Sequence, residues 1–140
     1  MRMISIGAVA ALTLLAAGAA AAATEHFAAT LKGSEETPPN ASGGTGSVDA
    51  TLNGAALSYT VTYSGLTGPA TAAHFHKGAA GASGPPVVPV PKSDLASPMK
   101  GKATLTADQV KDLEGGQWYF NIHTAANPGG EIRGQVTKAK

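Results

Sequence analysis

From Thr24 onward the chain alternates hydrophobic and polar residues in short runs, and Gly, Pro, Asn and Ser separate the runs. Successive side chains of a strand point to opposite faces, so this period of two predicts half-buried β-strands. Phe27, Ala29 and Leu31 alternate with His26, Ala28 and Thr30, and Val48, Ala50 and Leu52 alternate with Ser47, Asp49 and Thr51. The clearest run sets Leu57, Tyr59, Val61 and Tyr63 against Ser58, Thr60, Thr62 and Ser64. Asn53-Gly54, just before it, is a strong hairpin signal. Further strands are expected over 70–77 and 102–105. Val87-Val88-Pro89-Val90-Pro91 fits only an edge strand or an extended segment, because proline cannot donate to a ladder. Thr106 and Gln109 have the spacing of a capping box, which opens a helical turn through Glu114 that Gly115-Gly116 closes.

Near the C-terminus, 117–124 and 131–136 flank a loop rich in Asn, Pro and Gly and predict a β-hairpin. Trp118, Phe120 and Ile122 share its core face. Tyr119, Asn121 and His123 share the other. The long loops at 33–46 and 77–86 suit crossovers between sheets better than tight hairpins. The whole pattern predicts an all-β fold: a Greek-key sandwich or barrel of about eight strands, immunoglobulin-like being one option, with one short helical turn.

The first 23 residues break the alternation. Met1-Arg2 is followed by an uncharged run rich in Ala, Leu, Ile and Val that ends Ala21-Ala22-Ala23. This is the layout of a secretory signal peptide with a small-residue cleavage site. An uncleaved membrane anchor is the competing reading, since the run is about long enough to span. Cleavage would leave 24–140 as a single domain, secreted or periplasmic and free of the membrane. Without Arg2 the charges balance, nine Lys+Arg against nine Asp+Glu. That argues against nucleic acid as a partner. The absence of cysteine excludes a disulfide framework and a lipid-bearing N-terminal Cys.

The candidate chemistry lies in the histidines. His74 and His76 flank Phe75, and in a strand both imidazoles fall on one face about 7 Å apart. His123 also points away from its strand's core face. If the two strands are neighbours, three imidazoles converge, a set that suits copper or zinc rather than calcium or magnesium. The plain alternative is three histidines on a solvated surface. His26 most simply starts the first strand, facing solvent opposite Phe27; otherwise it is a fourth ligand to this cluster or part of an N-terminal site. In the latter, the amine of a chain beginning Thr24-Glu25-His26 would chelate a square-planar metal. Glu131 and Arg133 share a strand face as a solvated pair, or else orient His123 or guide an anion to a metal; Asn121 is the third candidate for a supporting role. No catalytic triad or paired carboxylates are visible.

Two resemblances follow from these residues. The segment 65–76, GLTGPATAAHFH, together with 116–135, GQWYFNIHTAANPGGEIRGQ, and the opening 31–39, LKGSEETPP, resembles the CHRD (chordin-type) domain over about 27–137. That resemblance implies export and a β-sandwich; in animals the domain occurs in an extracellular antagonist of growth factors. The order of Gly-Leu-Thr-Gly, His-x-His, long loop, His-bearing strand and Arg-bearing strand is similar, more faintly, to copper-zinc superoxide dismutase. That similarity implies copper on His74, His76 and His123 and, for turnover, superoxide-type redox chemistry. No histidine in 77–122 supplies the bridging ligand of that family, and its cysteines are absent, so a zinc subsite is not expected. The rival function is a non-catalytic extracellular protein-binding or matrix module with no metal.

Overall fold

The computed structural model describes residues 23–140; the expected signal peptide, 1–23, lies outside the described residues but for Ala23. Eight strands are present: β1 Thr24–Lys32, β2 Thr45–Asn53, β3 Ala56–Ser64, β4 Ala70–Lys77, β5 Pro86–Pro89, β6 Met99–Thr104, β7 Trp118–Thr124 and β8 Ile132–Lys138. They form one sheet in the order β5-β4-β7-β8-β1-β2-β3-β6, with every neighbouring pair antiparallel. The all-β expectation holds. The sheet curls until it is nearly closed: Phe75 on β4 meets Tyr59 on β3 edge-on at 5.2 Å, although four strands lie between them.

The alternation explains the interior. Phe27, Leu31, Val48, Leu52, Leu57, Val61, Phe75, Trp118, Phe120, Ile122, Ile132 and Val136 all point inward and are buried. The β2–β3 turn has Gly54 and Ala55 at its centre, and Gly54 alone takes a positive φ, 62°. Glycine at the first central position is the pattern of a type II′ turn. Helix α1, Ala107–Glu114, carries the expected capping box: Thr106 Oγ1 accepts from the Gln109 N–H, and Gln109 Oε1 accepts from the Thr106 N–H. The two edge strands are protected by composition. β5 bears Pro86 and Pro89, and β6 bears Lys100 and Lys102, residues that discourage pairing with another chain.

The long loops differ from expectation. Residues 33–44 join β1 to β2 and 78–85 join β4 to β5, and both pairs are adjacent antiparallel neighbours. They are extended hairpin loops, not crossovers. Their length is spent in folding back over the outer face of β4, β7 and β8.

Candidate metal centre

β4 and β7 pair with Ala72 opposite His123, His74 opposite Asn121, and His76 opposite Tyr119. His74 and His76 are two residues apart and share the outer face, as do Tyr119, Asn121 and His123. The antiparallel register therefore brings His123 beside His74. The ring centroids of His74 lie 5.3 Å from those of His76 and His123, and the latter two are 6.4 Å apart. One ring nitrogen from each histidine lies within 4.8 Å of the other two. Metal–nitrogen bonds of about 2.0 Å need nitrogens roughly 3.3–3.5 Å apart, so small side-chain rotations close the set on an ion.

The hydrogen bonds orient the rings. His76 Nδ1 lies 2.9 Å from the Gly84 carbonyl and His123 Nδ1 lies 2.8 Å from the Pro128 carbonyl. A carbonyl only accepts, so each Nδ1 carries the proton and each Nε2 presents a lone pair. His76 Nε2, His123 Nε2 and His74 Nδ1 are buried and have no hydrogen-bond partner. Burial holds the pKa of His74 below the ordinary histidine value, and the neighbouring His123 and His76 lower it further. Burial also lowers His76, with the hydrogen bond to the Gly84 carbonyl and the nearby Asn121 side chain opposing and the charges of His123 and Arg133 assisting. Both rings are thus biased toward the neutral form that can ligate. Unpartnered buried nitrogens are costly in a native protein, and a bound cation would satisfy all three.

The face around them is not the solvated surface expected of an outward strand face. Tyr119 stacks on His76 with centroids 4.7 Å apart and planes within 5°. On its other side the Arg133 guanidinium sits 3.5 Å from the Tyr119 ring centroid. Arg133 also donates to Thr37 Oγ1 at 3.1 Å, to the Ala82 carbonyl at 2.6 Å and to the Ala79 carbonyl at 3.2 Å, which fastens both long loops to β8. The Tyr119 hydroxyl accepts from the Gly84 N–H, and Gln135 donates to the Gly78 carbonyl. Arg133 is therefore not solvated: it is 2 % exposed, and Nη1 and Nη2 are both engaged.

Glu131 departs from expectation in the same way. It is fully buried, and its carboxylate accepts from Ser42 Oγ, the Thr67 N–H and hydroxyl, Thr124 Oγ1 and Asn127 Nδ2. Burial pushes its pKa up, but the bonds from Thr67, Thr124 and Ser42 outweigh that and hold it at about 2. It organises the loops rather than the histidines. Asn121 does stand at the cluster, beside His76 and 4 % exposed. His26 does not join it. The residue is exposed on β1, opposite Thr51, and β8 and β7 separate β1 from β4 in the sheet order. The parity that puts Phe27 in the core turns His26 to a different region of the outer surface.

Two participants were not singled out from the sequence. Tyr119 could have been found, since it shares a face with His123 and is opposite His76. Glu36 could not. It lies in a Pro-rich loop and is buried against Asn121 and Arg133 only because that loop folds back.

The family model described as CHRD domain matches residues 27–136. No curated protein and no solved structure matches the chain.

Proposed function

We propose that this chain, which belongs to the CHRD domain family, is an exported protein that binds one copper ion through His74 Nδ1, His76 Nε2 and His123 Nε2. The observation that carries this reading is the convergence of three buried, partnerless imidazole nitrogens. An all-imidazole set favours copper or zinc over calcium or magnesium, and copper stands above zinc in divalent affinity. Three protein ligands leave a position open, which suits copper delivery or one-electron redox chemistry of the superoxide type. Backbone carbonyls behind His76 and His123 fix the ligating tautomers.

Titration of the exported chain with Cu(II), and with Cu(I) under a competing chelator, tests the reading. The expected result is one copper per chain in wild type, with tight binding lost in a His74→Ala, His123→Ala double variant. Copper that leaves only when His26 is changed would transfer the site to the N-terminus. A chain that binds no copper at micromolar concentration would overturn the reading and leave a partner-binding or matrix module.

A further inference from the structure

Glu36 is 5 % exposed, and its Oε1 is buried without a hydrogen-bond partner. It lies outside the histidine cluster, but Asn121 stands between the two, beside Glu36 on one side and beside His76 on the other. The arrangement is built by Gly130. Its φ of +126° belongs to glycine, and a Cβ there would run into the Glu36 carboxyl and the Asn121 amide. Asn121 Oδ1 is a second buried atom without a partner. Glu36 also borders a surface cleft of about 250 Å³, lined by Pro38, Asn40, Asn127, Pro128 and Gly130 among others. Solvent entering that space would give the carboxyl an exchange route for protons that does not pass through the histidines.

The charges around Glu36 are few. Arg133 on β8 faces it, the Asn121 side chain on β7 and the Thr37 N–H lie beside it, and the cleft wall supplies no further ionisable side chain. The Glu131 carboxylate is committed to Ser42, Thr67, Thr124 and Asn127.

We infer that Glu36 is the proton-linked group of this centre, ionised when the bound copper is Cu(II) and protonated when it is Cu(I). The inference rests on the copper reading above. One electron from a one-electron reductant such as superoxide lowers the charge of the ion by one, and one solvent proton converts the Glu36 carboxylate to the acid. The electron and the proton together leave the net charge of the site unchanged. Such compensation matters where the charges are buried, because water screens them little. Burial pushes the Glu36 carboxyl up to about 7, against opposition from Arg133, Asn121 and Thr37, so both states are accessible near neutral pH. Glu36 is a positioning and proton-holding residue; no bond to the metal is implied.

The test compares Cu(II) and Cu(I) affinities across about pH 6 to about pH 8 in wild type and Glu36→Gln. Competition from histidine protons acts on both oxidation states and cancels in the ratio of affinities. Wild type should show a Cu(II)-to-Cu(I) affinity ratio that rises about tenfold with pH, the equivalent of one pKa unit of coupling. The Gln variant should show a flat ratio at unchanged stoichiometry. Equal slopes in the two proteins would overturn the role of Glu36 while leaving the copper site standing, whereas absence of copper binding in wild type would overturn both. Should the variant fail to fold, an infrared difference spectrum of wild type between its Cu(II) and Cu(I) forms decides: a carboxylic acid band gained on reduction supports the inference, and no such band overturns it.

Discussion

At the residue scale, two buried glutamates of the same surface have opposite electrostatics because their hydrogen bonding differs. Glu131 is surrounded by donors and held at about 2, against an ordinary value of 4.5. Its contribution to stability is therefore complete above about pH 4.5 and is lost as pH falls toward 2. Glu131→Gln should cost about 1–3 kcal/mol at neutral pH and much less near pH 2, as read from urea unfolding at each pH. Glu36 has the reverse sign. A carboxyl raised to about 7 binds more protons folded than unfolded between 4.5 and 7, so metal-free stability falls as pH rises through that window. Glu36→Gln should consequently be more stable than wild type at about pH 8, with the difference shrinking or reversing near pH 5. For the ligands, the lowered His74 and His76 predict that neither ring competes with copper for protons near neutral pH, a contribution isolated in Glu36→Gln, where the carboxyl no longer titrates. These two rings should weaken binding only once acid protonates them, below the ordinary histidine range. An affinity in Glu36→Gln that already falls with pH at about pH 7.5 would contradict this assignment of neutral imidazoles.

At the element scale, what could be read from the sequence is what depends on strand periodicity. Trp118, Phe120 and Ile122 go inward and His123 outward because strand geometry leaves no other choice, and His74 and His76 follow the same rule. The pairing of β4 with β7 was a condition on that reading, and the register satisfies it. Burial of the outer face was not legible. It depends on where 33–44 and 78–85 lie, and a hairpin loop and a crossover of that length look alike in sequence. Arg133 and Glu131 were expected on a solvated face for the same reason: strand parity says which side a residue takes, not what covers that side. The α1 cap was legible because it is local, Thr106 and Gln109 being three residues apart. Thr106→Ala should lower stability by about 1 kcal/mol, measured by denaturant melts, with copper affinity unchanged because no residue of α1 lines the histidine cluster.

At the scale of the whole molecule, the candidate centre belongs to one half of the curled sheet and is closed by loops fastened to β7 and β8. β4 and β7 supply the three histidines, β8 supplies Arg133, and the loop after β1 supplies Glu36. Arg133 ties 33–44 and 78–85 to β8, while the 125–131 turn holds His123 through the Pro128 carbonyl. A ligand that binds only the native arrangement stabilises it by mass action, about 2.7 kcal/mol at a hundredfold excess over Kd. For a domain of this size that corresponds to roughly ten degrees in Tm. Copper should therefore raise Tm in wild type and leave it unmoved in His123→Ala. Hydrogen exchange would show where the gain resides. Slowing is expected at the amides of 78–85 and 125–131, whose carbonyls hold His76 and His123, and near Glu36. Amides of β2 and β3 carry no ligand and should keep their metal-free rates. Uniform slowing across the sheet would mean instead that the ion stabilises the barrel globally and that the loops are already fixed by Arg133, Tyr119 and Glu131 alone.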